Sequence, residues 1–271
     1  MASAFLIIDG QLSFMDGQAS GSLAVPGAWA DMERLADLIH AEPEAFDALF
    51  LTMDQHNLHD IGHPTWFKDA KGAHPGPFTL ITAAEVEQGE WTTSDPAMVA
   101  HTLNYLKALE AKGRYIHTIW PAHCIIGTPG TLLHPALVEA VHGWEVERHR
   151  AATWIFKGMD SMVEHYSGFA AEVPNPLDGT HEALGSRHLD SLAALDTIHV
   201  AGEASSHCVK ATVEDLIAGL KERGVAEPEK RLVLHTNMMS PVSAIPNGPD
   251  FPAIAQAFLD DLAAKGATLA Q

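Results

Sequence analysis

The chain has 271 residues, 46% of them hydrophobic, which is enough for a sizeable core and close to the upper limit of one α/β domain. Its 16 Lys and Arg against 35 Asp and Glu give a formal net charge of -19, which argues against nucleic-acid and anionic-membrane partners alike. No apolar run approaches the roughly 20 residues of a membrane span.

The first apolar run, "AFLIID" at 4 to 9, reads as a strand. It lies within "MASAFLIIDGQLSF", whose apolar part is too short and too soon cut by Asp9 for a signal peptide, so a cytoplasmic location with reduced thiols is expected. Further runs follow at "ALFLTMD" (48 to 54), "YIHTIW" (115 to 120), "TWIFK" (153 to 157), "TIHVAG" (197 to 202) and "RLVLHT" (231 to 236). Each reads as a strand buried on both faces. Helical spacing predicts helices over roughly 27 to 40, 96 to 112, 132 to 147, 182 to 195, 208 to 223 and 250 to 265. Strands alternating with helices imply a doubly wound, three-layer α/β sandwich around a mostly parallel sheet. No linker divides the chain, so residues 1 to 271 read as one domain, with a long loop or lid insertion at about 55 to 95.

The residues at the carboxyl ends of these strands are chemically distinctive. Asp9 ends the first, Asp54 the second with His56 just beyond, Trp120 the third with His123 just beyond, and Lys157 the fourth; the fifth runs through "GEASSH" into Cys208. Ligands of open parallel sheets bind outside these ends, so the residues should converge on one crevice. Cys208 is expected in the first turn of a helix, where free N–H groups and the helix dipole favour a thiolate. A free cysteine can also simply pack. Asp9 and Lys157 weigh towards chemistry, because a carboxylate and an ammonium at the ends of apolar strands are costly unless paired, and together they could take the thiol proton and hold the base ionised. In "DQHNLHDIGHPTW", Asp54 and His56 alternate and so point the same way; with His63 and His123 they form a set that suits a divalent first-row metal.

Four blocks, "FLIIDGQLSF", "WPAHCIIGTPG", "FKGMDSMVEHYSGF" and "VAGEASSHCVKATVEDL", resemble those of the isochorismatase-like cysteine hydrolases, most closely their nicotinamidase branch. The resemblance implies a catalytic triad of Asp9, Lys157 and Cys208. It also implies a cis peptide between Glu203 and Ala204, an oxyanion hole from the amides of Ala204 and Cys208, and an aromatic substrate pocket of Phe14, Trp120 and Tyr166. It further implies one divalent metal on Asp54, His56, His63 and His123, zinc ahead of iron or manganese, and Cys124 as a packed neighbour. His59 competes with His63 for its ligand position; His63 is preferred because aromatic residues follow it. The expected activity is hydrolysis of nicotinamide, or a related small heterocyclic amide, to the acid and ammonia through a thioester. The alternatives are a carbamoyl or maleamate-type amidase and an inactive binding homologue. The expected partner is a small-molecule amide, and the resemblance also allows a homo-oligomer. Two departures touch the pocket: the segment from Lys68 to Pro96 is long for the family, and two extra residues separate Lys157 from Tyr166.

Overall fold

A computed structural model describes residues 2–175, 186–246 and 248–271. In chain order the elements are β1 (Ser3–Ile8), α1 (Ala28–Ala41), β2 (Ala48–Asp54), β3 (Phe67–Lys68), α2 (Ala83–Gln88), β4 (Thr92–Thr93), α3 (Val99–Lys112), α4 (Pro135–Arg148), β5 (Thr153–Lys157), α5 (Ser186–Ala193), β6 (Thr197–Gly202), α6 (Cys208–Glu222), β7 (Leu232–His235), α7 (Phe251–Ala264) and β8 (Thr268–Ala270). Among the described residues six strands form one sheet in the order β5-β2-β1-β6-β7-β8, and every adjacent pair is parallel.

That order explains where a site can form. The chain moves outward from β1 through β2 to β5, then returns to β6 on the other side of β1 and moves outward again. Right-handed crossovers therefore put α1 and α4 on one face, where they pack together, and α5 and α6 on the other. The loops after β1 and β6 part in opposite directions and leave a crevice between them. β1 is fully buried because both faces are covered and both edges are paired, which is why "SAFLII" shows no alternation. Close packing also dictates Gly202: its φ is +124°, and a Cβ there would lie 2.0 Å from the Ile8 carbonyl oxygen.

Three expectations need correcting. Residues 115 to 120 are extended but do not join the central sheet, because β5 occupies the place beside β2. Their backbone pairs instead with the 55 to 95 insertion, through Ile81 N–H to the His117 carbonyl (3.0 Å), Ile119 N–H to Thr79 (2.8 Å) and Trp120 N–H to Gly62 (2.8 Å). The insertion is not a bare loop: it holds α2, opened by a capping box between Thr82 and Glu85, and the antiparallel pair β3 and β4. The strand β8 was too short and too exposed to signal itself. Of the helix expected over 182 to 195, the part before 186 lies outside the described residues.

The insertion has a core of its own. Ile61, Trp66, Phe67, Ile81 and Val86 pack with Tyr105, Leu106 and Leu109 of α3 and with Ile119 and Val163, apart from the main core that surrounds the sheet. Phe67→Ala should therefore cost about 3 to 5 kcal/mol, whereas Val146→Ala, at a side chain 73% exposed, should change stability by less than about 0.5 kcal/mol. Urea denaturation of the two variants checks both values.

Candidate active site

Asp9 follows β1 with φ +46°, a left-handed conformation that a non-glycine residue rarely takes. Its N–H is held by the Thr52 carbonyl and by Thr52 Oγ1 (3.1 Å), and Thr52 Oγ1–H donates to Asp9 Oδ1 at 2.6 Å. The carboxylate is thereby turned back over the end of the sheet. Asp54 is fixed in a similar way, since Gln11 accepts from its N–H at 2.6 Å and donates to its carbonyl at 2.8 Å. Lys157, in register with Asp54 on the neighbouring strand, is fully buried and lies between the two acids, 2.9 Å from Asp9 Oδ2 and 3.0 Å from Asp54 Oδ1. It also donates to the His165 carbonyl (3.0 Å) and reaches the Cys208 sulfur at 3.7 Å. Burial opposes the ammonium, but Asp54 and Asp9 hold it well above its usual range.

Cys208 opens α6, with the Asp9 carboxylate against its sulfur. Burial pushes the thiol up; Lys157 offsets part of that, and Asp9 and Asp54 add to it. The resting group is thus a thiol beside a base. The bond between Glu203 and Ala204 is cis. Among the described residues no carbonyl accepts from the amides of Ala204 or Cys208, whereas those of Ser205, His207 and Val209 are all bonded. Two free N–H groups beside the thiol are what a developing oxyanion needs. Cys124 has φ +45° and its N–H is bound by Ser13 Oγ at 2.8 Å; burial, then Asp54 and Asp9, push its thiol well up, and Ser13 and Lys157 offset only part of that.

The second half of the site is built on the other oxygen of Asp54. His56 Nε2 lies 2.9 Å and His123 Nε2 3.3 Å from Asp54 Oδ2. Each ring is oriented from behind: His56 Nδ1 meets Asp60 Oδ2 at 3.1 Å and His123 Nδ1 meets the Pro121 carbonyl at 2.9 Å. Both rings therefore turn Nε2 towards one point beside the carboxylate, and the three ligand atoms lie within 4.8 Å of one another. Gly158 allows this approach, because a Cβ there would be 2.7 Å from Asp54 Oδ1. His63 is fully buried with Nε2 3.3 Å from His123 Nδ1, but it does not join that three-atom group. His59 is exposed and stacks on Trp66.

These residues suit a divalent cation on charge as well as on donor type. Burial opposes a charged His56, but Asp54 and Asp60 hold its ring well above the usual imidazole range, so the point between these residues favours positive charge, which a dication would supply. Burial, with help from Asp60 and Asp54 against His56, pushes nearby Glu164 up to about 8 and makes it the neutral acid of the group at pH 7.

A pocket of about 380 Å³ joins the two halves, and Phe14, Trp120 and Tyr166 all line it, together with His165, His207 and Glu164. Trp120 Nε1–H donates to Tyr166 Oη at 2.9 Å with the rings edge-on, so each aromatic wall braces the other. His207 is packed among Tyr115, Trp120, Tyr166 and Phe251, and burial lowers it to about 3. Ser206 Oγ accepts from Val242 N–H at 3.1 Å and meets His207 Nδ1 at 2.9 Å. The ring is thereby anchored at Nδ1, through Ser206, to the segment at 242. The sequence reading missed Asp60, Glu164, His165 and His207. Asp60 stands at i+4 from His56 in the same histidine-rich stretch, and the other three adjoin Tyr166 or Cys208, so proximity to assigned residues was the available signal.

No family model matches the chain. It is 25% identical over 212 residues to the nicotinamidase of Acinetobacter baylyi, spanning 78% of this chain and 73% of that one. The yeast nicotinamidase bound to the inhibitor nicotinaldehyde superposes with a TM-score of 0.63 at 19% identity, covering 99% of each chain. The pyrazinamidase of Pyrococcus horikoshii in complex with zinc gives 0.56 at 17% identity, over 100% of this chain and 99% of that one.

The environments of the two thiols differ enough to be told apart chemically. At pH 8 iodoacetamide should alkylate Cys208 and leave Cys124 untouched. Because Lys157 is the group that lowers the Cys208 pKa, Lys157→Met should raise it further and slow the alkylation by tenfold or more, about one pKa unit. Peptide mass spectrometry against time reads both rates.

Proposed function

We propose that this chain is an isochorismatase-like hydrolase of the nicotinamidase branch, a metal-dependent cysteine amidohydrolase acting on nicotinamide or a closely related heterocyclic amide. The observation that carries the reading is the buried Lys157, which ties Asp9 and Cys208 to the Asp54 ligand set in one pocket walled by aromatic rings.

The chemistry follows from where the protons lie. Asp9 takes the Cys208 proton as the sulfur attacks the amide carbonyl; the new C–S bond pushes the carbonyl electrons onto oxygen, where the Ala204 and Cys208 amides stabilise the charge. Asp9 returns its proton to the nitrogen as the C–N bond breaks, and ammonia leaves a thioester on Cys208. Water then enters where ammonia left, Asp9 accepts its proton as the water oxygen bonds to the carbonyl carbon, and the C–S bond breaks to give the acid while Asp9 returns the proton to the sulfur. Throughout, Lys157 keeps Asp9 ionised between steps. The flat ring lies among Phe14, Trp120 and Tyr166, with His207 in the same lining.

Asp54, His56 and His123 would hold the metal, with His63 reaching in from the insertion as a fourth donor; its buried Nδ1 has no partner, and burial lowers the ring to about 2, so a lone pair is available. When bound, the ion supplies a Lewis-acidic anchor for a heteroatom of the substrate. Zinc suits one carboxylate with imidazoles, ahead of iron or manganese.

Ammonia release from nicotinamide, pyrazinamide, carbamoyl and maleamate-type amides, with and without chelator, tests the reading directly. Nicotinamide should be preferred and chelation should cut turnover; chelator-resistant hydrolysis of a non-aromatic amide would assign a metal-free amidase instead. Cys208→Ala should abolish turnover and Cys124→Ala should keep most of it. Asp9→Asn and Lys157→Met should each cost orders of magnitude, and the double variant no more than the worse single one, because the groups act as a unit. Elemental analysis should find about one ion per chain, lost in His123→Ala, weakened in His63→Ala and unchanged in His59→Ala. Asp60→Asn should weaken metal affinity by about 10 to 100-fold by releasing the His56 ring.

A further inference from the structure

Glu203 immediately precedes Ala204, yet its side chain points away from the pocket and is fully buried. It lies against Asp31 of α1, which is itself only 3% exposed. Two carboxyl groups side by side in a protein interior call for an explanation.

The hydrogen bonds around them supply one. Asp31 already has both oxygens engaged, Oδ1 by the Arg34 guanidinium and Oδ2 by Ser240 Oγ–H at 2.5 Å. Glu203 Oε2 accepts from Ser240 N–H at 3.2 Å, while Oε1 has no donor within reach. The other nearby acid, Asp16, is occupied by the amides of Gly27 and Trp29 and adds only negative charge; among the described residues Arg34 is the one cation at this contact, and it also serves the Asn237 carbonyl. With Asp31 carrying the charge that Arg34 balances, a second adjacent carboxylate would stand uncompensated in an apolar interior. A proton on Glu203 Oε1 removes that charge and supplies the missing donor.

We propose that Glu203 is a positioning residue: as a neutral carboxyl it donates to Asp31 and accepts from Ser240, and so fixes the segment that presents the Ala204 amide to the reacting carbonyl. The link is reinforced from the other side, because Ser205 N–H donates to the Ser240 carbonyl at 2.9 Å and Val242 N–H to Ser206 Oγ at 3.1 Å. Residues 203 to 206 are thus stitched to residues 240 to 242 and to α1 through a single proton. Burial first, and then the Asp31 charge, push the Glu203 carboxyl well above its usual range, in keeping with that assignment.

The role in turnover rests on the amidase reading, but the protonation does not, and the experiment separates the two. Glu203→Gln preserves a neutral donor and acceptor, so kcat should stay within about threefold of wild type, and activity should persist to higher pH than in wild type because no proton remains to be lost. Glu203→Leu should lower kcat tenfold or more, since a displaced oxyanion donor costs on the order of 10²-fold, with KM and the rate of Cys208 alkylation little changed. Infrared difference spectra of wild type against Glu203→Gln should show the carbonyl band of a protonated carboxyl at neutral pH. Should the leucine variant not fold, Asp31→Asn replaces it: the asparagine can donate to an ionised Glu203, so the band should vanish while turnover survives. Wild-type kcat in Glu203→Leu, equal loss in the Gln and Leu variants, or no protonated-carboxyl band would overturn the proposal. Inactivity of wild type on every amide would sink the amidase reading alone, and the infrared comparison would still decide the state of Glu203.

Discussion

One ammonium, buried between two carboxylates, organises the end of this sheet. Lys157 contacts Asp9, Asp54, the His165 carbonyl and the Cys208 sulfur at once. Desolvating a lysine is expensive, and only a full set of partners offsets the cost. Each partner comes from a different piece of chain: β1, β2, the loop after β5, and α6. The ion cluster can therefore form only when the parallel register β5-β2-β1 is correct, and once formed it fixes where the thiol and the ligand set stand relative to each other. Asp54 is the shared member, with one oxygen on Lys157 and the other beside His56 and His123. The nucleophile and the cation site are in this sense one electrostatic unit.

Much of this was legible in the sequence because it depends on local pattern. Apolar runs ending in a charged residue located β1, β2 and β5 together with Asp9, Asp54 and Lys157, and the seam at 202 to 208 located Cys208. The failures share a physical cause. "YIHTIW" is as apolar as a true strand, but whether such a run joins the central sheet depends on which backbone reaches it first, and here the insertion does. The short strands β3 and β4 owe their existence to the satellite core around Phe67 rather than to propensity, so a window of sequence cannot show them, whereas α2 carried a local signal in its Thr82 and Glu85 capping box that was passed over. Asp60 and Glu164 were missed because their importance lies in what they face, His56 Nδ1 in one case and the charges of Asp60 and Asp54 in the other.

The insertion also changes how the pocket is closed. Trp120 sits on the segment that pairs with residues 78 to 81, and its N–H is held by the Gly62 carbonyl. The aromatic wall therefore rests on the satellite core, and through Tyr166 it is braced against the loop after β5. His63, from the same insertion, stands beside His123. An element that looks like an addition in the sequence backs a wall of the pocket and supplies a neighbour of the ligand set, so its packing bears on binding as well as on stability.

The charges that build the site also bear on which ligands it can release. Burial holds two histidines of the pocket neutral, His165 at about 4 and His207 at about 3, and the Lys157 ammonium is fully engaged. A neutral amide meets no opposing charge on entry. Its product is a carboxylate formed beside Cys208, within the field of Asp9, whose own charge is restored when the thiol recovers its proton. Among the described side chains of the lining Lys157 is the one ammonium and its partners are already in place, so beside Cys208 the Asp9 charge repels the anion, little screened at this depth, while a dication on Asp54, His56 and His123 would draw it the other way. The arrangement that keeps Asp9 ready as a base therefore also disfavours the product, which links turnover to the same buried pairing that specifies the fold.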